Sequence, residues 1–337
     1  MEFTTLIDLA AERLGGAVIS TNDEFFAPAA NLLKPGAATF VEGKYTDRGK
    51  WMDGWETRRR RQPGHDWCIV RLGQPGLIRG IVVDTAHFKG NFPESCSLDA
   101  CEADDAKSAD ELKGWKEILV KTVLAGDLQN HLAVDPTDRA THVRLNIFPD
   151  GGVARLRVYG QVVPDWRRLG QGEIDLASIQ YGSLVVASSD MFFGSRHNLI
   201  LPGPALDMSD GWETRRRRGP GHDWAIVQLG IPGTVRRIEV DTTYFKGNAP
   251  GSCSIEGRYM PIATTADLAQ PLQPWKTLLE RTSLQPHAER VFEVTTGSHE
   301  PITHARLNIF PDGGIARLRL VGTPETQTRA RTTQPRA

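Results

Sequence analysis

The chain of 337 residues is long enough for two domains of ordinary size, each with its own hydrophobic core. Its 40 Lys and Arg residues nearly balance its 41 Asp and Glu residues, which gives a formal net charge of −1. This balance argues against a dedicated nucleic-acid-binding protein, which normally carries a strongly basic domain. It also gives no reason to expect attraction to an anionic membrane, so we expect neither nucleic acid nor membrane as a partner.

The elements predicted along the first half of the chain are mostly strands. Only the stretch LIDLAAERL, from Leu6, has a helical pattern. Strands are predicted for WCIVRLG from Trp67 and LIRGIVVDT from Leu77, and for the partly alternating runs HVRLNIF from His142 and ARLRVYG from Ala154. The PDGG tetrad between the last two predicts a tight turn. Short strands separated by Gly and Pro indicate an antiparallel sandwich rather than alternating strand–helix units.

The second half of the chain repeats the first. Residues 53–96 align without a gap with residues 210–253, and 32 of these 44 pairs are identical. The block RLNIFPDGGVARLRVYG from Arg144 returns as RLNIFPDGGIARLRLVG from Arg306. Such self-similarity is the signature of a tandem duplication.

The duplication and the strand pattern together predict the fold. We expect an all-β chain of two tandem jelly-roll β-sandwich repeats, at 1–164 and 165–323, followed by a disordered polar tail at 324–337. The order of signals in each repeat resembles galactose-binding-like and discoidin-type modules. Because that fold hosts many non-catalytic binding modules, it does not define the function.

The cysteines and the first residues bear on the compartment. Cys68, Cys96, Cys101 and Cys253 include no CxxC pair and no zinc spacing, so we expect reduced thiols. The beginning MEFTTLIDLAAERLGG lacks the basic and apolar regions of a secretory signal. We therefore expect a cytoplasmic protein without an organic cofactor.

Polar residues that a sandwich core does not need are repeated in both copies. In the first copy they are Asp53, Glu56, Arg58 to Arg61, His65, Asp66, Lys89, Asn91, Asn146 and Asp150. In the second copy they are Asp210, Glu213, Arg215 to Arg218, His222, Asp223, Lys246, Asn248, Asn308 and Asp312. Residues 97–140 barely align with 254–302, so the copies have diverged while these positions have not. The retained set indicates a site.

Several of these residues also have a structural interpretation. Asp53 and Asp150 each precede glycine and can equally well form turns. Trp55 and Trp67 fit core positions better than ligand platforms. In an extended segment, alternation sends side chains 58 and 60 to one side and 59 and 61 to the other, so the four arginines cannot all face one ligand. His65 and Lys89 remain open between a functional and a structural role.

The motifs DGWETRRRR, PGHDW, FKGN-x-P and RLNIFPDGG, each present twice and preceded by D-x-FF, resemble the allantoicase family. The resemblance covers both repeats. It implies a hydrolase that converts allantoate to ureidoglycolate and urea in allantoin degradation, a double jelly-roll fold and a homo-oligomer. The alternative is a non-catalytic tandem module that binds carbohydrate or a small polar anion.

Allantoate has one carboxylate and two ureido groups on a single carbon, which suits this residue set. Arginine binds carboxylates through its planar fork, and carboxylate and amide oxygens accept from ureido N–H groups. The predicted acid/base residues are His65, Asp66, Glu56, His222, Asp223 and Glu213. The predicted substrate-binding residues are Arg58, Arg60, Lys89, Asn91, Asn146, Asp150, Arg215, Arg217, Lys246, Asn248, Asn308 and Asp312.

Two features of the site stay open in the sequence. A divalent cation is compatible with the family, but an adjacent His and Asp alone make a weak metal site. Since both repeats keep the full set, the chain could hold two sites, one composite site, or one site and a relic.

Overall fold

A computed structural model describes residues 2–103, 108–135, 137–166, 172–261, 267, 274–294 and 300–325. The chain divides into two compact units, Met1–Pro164 (unit 1) and Asp165–Ala337 (unit 2). Both consist mainly of strands, which confirms the prediction of an all-β chain of two repeats. In the described stretches no helix is long and apolar enough to cross a membrane.

The strands of unit 1 are β1 (Ile7–Asp8), β2 (Ala17–Thr21), β3 (Tyr45–Thr46), β4 (Gly49–Lys50), β5 (Trp55–Glu56), β6 (Asp66–Asp84), β7 (Ser95–Cys101), β8 (Lys116–Val123), β9 (Gln129–Ala133), β10 (Arg139–Phe148), β11 (Gly152–Val153) and β12 (Arg155–Val162). Those of unit 2 are β13 (Ile174–Asp175), β14 (Leu184–Ser188), β15 (Trp212–Glu213), β16 (Asp223–Asp241), β17 (Ser252–Arg258), β18 (Lys276–Ser283), β19 (Glu289–Glu293), β20 (Ile302–Phe310), β21 (Gly314–Ile315) and β22 (Arg317–Pro324). Short 3-10 helices occupy Phe3–Thr5, Glu12–Leu14, Ala29–Leu33, Ala109–Glu111, Ile179–Tyr181, Arg196–Ile200 and Met208–Asp210.

One long strand organises each unit. The main sheet of unit 1 has the order β1-β12-β6-β10-β7-β8, with β2 and β9 also paired to β6. Strand β6 pairs with β2 and β10 over its first half and with β9 and β12 over its second half. Unit 2 repeats this topology, with β16 in the place of β6. The first and second halves of β6 therefore pair with different sets of strands, which this single strand connects.

The core lies along strands that are buried over most of their length, such as β7 and β10. Leu98 in β7, Leu145 in β10 and Leu156 in β12 are fully buried, and each such side chain contributes about 1.5–3 kcal/mol of hydrophobic free energy. Trp55 is also fully buried, which confirms its predicted core position, and its Nε1–H donates to the Asp23 carbonyl at 2.8 Å. Trp67 is partly buried and packs against a smaller apolar cluster.

The helical prediction for LIDLAAERL was wrong. Ile7 and Asp8 form strand β1, paired with β12, and only Glu12–Leu14 form a 3-10 turn. The Asp8 carboxylate accepts from the backbone of Val158, in β12, at 2.9 Å. Pairing with a distant strand therefore outweighs the local helical pattern.

The predicted tail boundary at residue 324 was also wrong. Pro324 belongs to β22, and the backbone N–H of Glu325 donates to the Pro232 carbonyl at 2.7 Å. The rest of the predicted tail, residues 326–337, lies outside the described residues.

The topology brings the sequence motifs to one end of unit 1. Phe148, at the end of β10, lies opposite Ser95, at the start of β7, and Arg155, at the start of β12, lies opposite Asp84, at the end of β6. The connections at this end, here called the loop end, are 22–65, 85–94, 124–128 and 149–154. They contain D-x-FF, DGWETRRRR, PGH, KGN and PDGG.

The two units differ in length at this end. Asn31 and Asn198 occupy equivalent places, because the amide of each donates to a glycine carbonyl of the motif, Gly54 or Gly211. From Asn31 to Asp53 the chain advances 22 positions, whereas from Asn198 to Asp210 it advances 12. Unit 1 therefore has ten additional residues, and its longer segment includes the β3–β4 hairpin.

Candidate active site

The arginine run of unit 1 is fixed by the PDGG turn. The Thr57 backbone N–H donates to the Gly151 carbonyl at 3.2 Å, and the Gly151 N–H donates to Thr57 Oγ1 at 3.1 Å. The Arg60 N–H donates to Asp150 Oδ2 at 2.7 Å. Gly151 has φ 141°, and a Cβ there would lie 2.7 Å from the Pro93 nitrogen, so the turn requires glycine. Asp150, predicted to bind substrate, thus positions the arginine backbone.

Two of the four arginines form ion pairs. Arg58 Nε lies 2.6 Å from Asp23 Oδ2, and Arg60 Nη1 lies 2.6 Å from Asp66 Oδ1. Unit 2 repeats both pairs, Arg215 with Asp190 at 2.8 Å and Arg217 with Asp223 at 2.5 Å. The arginines therefore alternate as predicted: Arg58 and Arg60 each pair with an aspartate, and Arg59 and Arg61 are exposed. Within the described residues, the exposed arginines 59, 61, 216 and 218 have no ion pair.

Asp66 is buried beside the histidine. Its side chain is 1% exposed, and Oδ1 accepts from Arg60 and from the Asn22 amide, the latter at 2.8 Å. Asp66 Oδ2 is buried and has no hydrogen-bond partner among the described residues. A buried carboxylate oxygen without a partner needs a donor, so this atom is suited to hold a ligand or a water molecule.

The imidazole of each repeat lies on an aromatic ring. The His65 ring centroid is 4.7 Å from that of Phe148, and the His222 centroid is 4.6 Å from that of Phe310. His222 Nε2 also lies 3.2 Å from Asn308 Oδ1. Both histidines are partly buried at the end of the strand that carries RLNIF. Asp66 pairs in register with Ile147, whereas the His65 ring packs on Phe148, the next residue of β10, so the aspartate and the imidazole face opposite sides of the sheet.

Asn146 lies on the same face of β10 as Phe148, opposite to the face of Asp66. Its Nδ2 donates to Asp99 Oδ2 at 2.9 Å and to Ser97 Oγ at 3.1 Å, while Oδ1 is buried without a partner in the described part of the chain. Arg144 Nη2 lies 2.8 Å from the same Asp99 oxygen. Sequence reasoning missed Asp99, although the pairing of β7 with β10 places it opposite Arg144.

Glu56 and Asn91 form a second polar group at the loop end. Asn91 Nδ2 donates to Glu56 Oε1 at 2.6 Å, and in unit 2 Asn248 Nδ2 donates to Glu213 Oε1 at 2.5 Å. Burial raises the pKa of the Glu56 carboxyl, and the Asn91 hydrogen bond offsets part of that rise. Glu56 therefore retains its proton to a higher pH than an exposed glutamate.

The remaining predicted residues have different positions. Lys89 is 79% exposed, with Nζ 3.7 Å from Asp127, and Lys246 is also exposed. Asp53 is buried and accepts from Arg155 Nη2 at 2.7 Å. Burial raises the pKa of the Asp53 carboxyl, but hydrogen bonds from Arg155 and the Thr39 backbone hold it below its usual value. This buried ion pair supports the fold rather than a ligand.

Two further features, metal-ligand clusters and reactive thiols, bear on the chemistry of the candidate site. No three His, Cys, Asp or Glu side chains of the described residues are grouped to hold a metal ion. All four cysteines are free and buried, as predicted for reduced thiols. Burial raises the pKa of Cys96 to about 12, so its thiol stays protonated and unreactive at neutral pH.

Known proteins share this repeat. The family model described as the allantoicase repeat matches residues 7–163 and 174–325. A probable allantoicase from Pseudomonas aeruginosa is 47% identical over 324 residues, which cover 96% of this chain and 97% of the relative. Probable allantoicase 2 from Burkholderia pseudomallei is 48% identical over 94% of each chain.

A solved structure agrees with these relatives. The crystal structure of allantoicase from Saccharomyces cerevisiae is 37% identical, with a TM-score of 0.79, and the match covers 95% of this chain and 96% of that chain. Both the sequence and the fold of the two repeats are therefore shared along almost the whole chain. The chain belongs to the allantoicase family.

Proposed function

We propose that the chain is a hydrolase that cleaves allantoate to ureidoglycolate and urea in purine (allantoin) degradation. The family match over both repeats carries this conclusion. The loop ends supply groups for this chemistry, because each unit holds a histidine packed on a phenylalanine ring and a buried aspartate paired with an arginine. The cleaved bond joins the central carbon to one ureido nitrogen.

The reaction needs two proton transfers. A base removes a proton from water as its oxygen bonds to the central carbon, and an acid protonates the ureido nitrogen as the carbon–nitrogen bond breaks. Histidine is suited to both tasks near neutral pH. We assign proton transfer to His65 and His222. Both side chains are partly exposed, so a substrate can reach them.

Asp66 and Arg60 position this chemistry. Asp66 holds the Arg60 guanidinium through Nη1, while Arg60 Nε is buried without a partner in the described residues. A guanidinium offers five N–H donors, so Arg60 can bind a carboxylate and Asp66 together. Asn146 Oδ1 and Asp66 Oδ2 are buried without a hydrogen-bond partner among the described residues, so each needs a donor. In unit 2 Arg217 pairs with Asp223 in the same way, whereas Asn308 Oδ1 lies 3.2 Å from His222 Nε2.

Glu56 is the second acid candidate in unit 1. Because burial raises the pKa of its carboxyl, Glu56 can carry a proton where an exposed glutamate would have lost it. Asn91 fixes the carboxyl orientation through the hydrogen bond to Oε1. We assign Glu56 and Glu213 to proton donation or to binding of ureido N–H groups.

The assay is urea release from allantoate by the purified protein. We expect urea and ureidoglycolate to appear in equal amounts, at a rate proportional to protein concentration. An inactive protein that still binds allantoate would support the non-catalytic alternative, and a protein that neither binds nor cleaves allantoate would overturn the proposal. Repeating the assay after chelation, with and without added divalent cations, tests a metal requirement.

The family resemblance also supports a homo-oligomer working in the cytoplasm. Light scattering of the full chain after size exclusion measures its mass directly, and a mass of one chain at assay concentrations would contradict the oligomer.

A further inference from the structure

The longer segment of unit 1 covers aromatic surface that is bare in unit 2. Arg48, between β3 and β4, donates from Nη1 to the Phe25 carbonyl at 3.0 Å, and its guanidinium lies 5.1 Å from the Phe25 ring centroid. Phe26 is 36% exposed, whereas its equivalent, Phe193, is 60% exposed. The hairpin therefore forms a wall beside the Glu56 group that the shorter segment of unit 2 does not provide.

This wall borders a cleft of about 320 Å³. Phe26 and Met52 provide apolar surface, and Lys50, Glu56, His87 and Asn91 provide polar groups. Lys89 lies at the same cleft. The volume falls at the lower end of the range of about 300–1,000 Å³ that is typical of small-molecule sites, and an apolar surface with a few polar groups is their usual composition.

The hairpin segment also fixes His87. The His87 backbone has φ 70°, a strained conformation for a residue with a side chain, and its N–H donates to Asp127 Oδ1 at 2.7 Å. His87 Nε2 lies 3.2 Å from the Ala38 carbonyl. Unit 2 keeps the backbone conformation, with Tyr244 at φ 72°, but not the side chain. The loop geometry is common to both units, whereas the imidazole belongs to unit 1.

The charges define the ligand class. Lys50 supplies an ammonium group that can attract a carboxylate, and the exposed Lys89 adds a second, whose Nζ lies 3.7 Å from Asp127. Among the described residues, nothing is bonded to Glu56 Oε2 or Asn91 Oδ1, so both oxygens can accept from N–H groups. A small molecule with a carboxylate at one end and a ureido group at the other matches both features.

We propose that this cleft is a ureido-carboxylate site of unit 1, with the carboxylate at Lys50 and Lys89 and the ureido group at Glu56 and Asn91. Unit 2 keeps Glu213, Asn248 and Lys246, but among its described residues the shorter segment supplies no counterpart of Lys50, and Tyr244 replaces His87. The ligand class rests on the proposed function. The two repeats are consequently not equivalent in ligand binding.

The experiment is calorimetric titration of the full chain with N-carbamoylglycine. This probe has one carboxylate and one ureido group, whereas allantoate has two ureido groups. We expect the wild type to bind the probe in this cleft, in addition to any binding at the Arg60 and Arg217 groups. Lys50→Ala should weaken binding about tenfold, the loss expected for one charged contact of about 1.4 kcal/mol. His87→Tyr, which introduces the residue that unit 2 tolerates at this backbone conformation, should weaken binding as well.

Lys44→Ala is the matched control. Lys44 lies in the same segment and its Nζ is 3.8 Å from the Trp51 ring centroid, as Lys50 Nζ is 4.6 Å from that of Phe40, but Lys44 does not border the cleft. We expect wild-type binding in this variant. No binding by the wild type, or equal binding by Lys50→Ala and Lys44→Ala, would each overturn the proposal. If the protein binds the probe but releases no urea from allantoate, the cleft proposal stands and the proposed hydrolase activity is wrong.

Discussion

The loop ends of the two units keep the same ion pairs but differ around them. Arg60 with Asp66 recurs as Arg217 with Asp223, and Asn91 with Glu56 recurs as Asn248 with Glu213. The outer contacts have changed: the partner of Asp66 is Asn22, whereas that of Asp223 is Ser189.

The two units agree in the contacts that position the arginine run and differ in the residues around Glu56. The hydrogen bonds that fix the arginine run recur, from the Arg60 N–H to Asp150 and from the Arg217 N–H to Asp312. The groups that border the Glu56 cleft differ, because Tyr244 replaces His87 and the described segment of unit 2 lacks the hairpin. The units therefore share the geometry of the arginine run and differ around the glutamate.

Breaking the buried ion pair below each loop end should have the largest effect on stability. In Arg155→Met, Asp53 stays buried with only the half-exposed Lys34 ammonium as a cation, 3.6 Å away, which costs about 3–5 kcal/mol of the free energy of unfolding. Arg317→Met should act similarly on Asp210 in unit 2. Urea denaturation followed by tryptophan fluorescence measures both losses.

Adding Asp53→Asn to Arg155→Met removes the uncompensated charge and should recover part of the loss. The low pKa of Asp53 gives the sign of the pH dependence: the stability that its ionisation contributes is present above the unfolded-state pKa and is lost as the pH falls through the lower folded-state pKa. Wild-type stability in Arg155→Met would refute the structural role of the pair.

Glu56→Gln should separate activity from stability. We expect a decrease of about 100-fold in the rate of urea release, because the acid is lost, while the Gln oxygen can still accept from Asn91. Burial raises the pKa of Glu56, so its stabilising contribution is present at low pH and is lost as the pH rises through the raised folded-state pKa. At neutral pH the variant should therefore be at least as stable as the wild type.

Glu213→Gln sharpens the comparison between the units. If unit 1 has the additional cleft, Glu56→Gln should reduce the rate more than Glu213→Gln. Equal rates in both variants and the wild type would exclude these glutamates from the reaction, and a parallel loss of rate and melting temperature would make Glu56 a structural residue.

The smallest effect is expected at the two ion pairs whose arginines are exposed, although their aspartates, Asp23 and Asp190, are only 10% and 15% exposed. Asp23→Asn and Asp190→Asn should each cost about 0.2–1 kcal/mol, because Arg58 and Arg215 are 63% and 66% exposed. Added salt should reduce the difference from the wild type. A loss well above this range, or one that salt does not change, would show that these pairs act through more than surface attraction.

Much of the fold was predictable because identity between the repeats marks strands and turns together. The all-β sandwich repeats, the buried Trp55 and the convergence of the motifs at one end follow from alternation and from the turn residues. The first strand was not predictable, since Ile7 and Asp8 obtain their partners from β12, roughly 150 residues away in sequence.

Site residues could be predicted where the same residue is present in both repeats, and were missed where the two repeats differ. Asp99 was missed because it lies in a segment that barely aligns and its counterpart is Glu256, which keeps the carboxylate but not the identity. Lys50 was missed because its segment has no counterpart in unit 2. The partners of Arg58 and Arg60 became visible only when the fold placed Asp23 and Asp66 beside them.

The most direct test of the account compares urea release from allantoate by His65→Ala, His222→Ala and the double variant. Both histidines are partly exposed, so circular dichroism should show an unchanged fold. The account predicts a loss of about 10²–10⁴-fold in kcat for the double variant and a smaller loss for at least one single variant. Wild-type urea release by the double variant would contradict the claim that the repeated histidines perform the proton transfers.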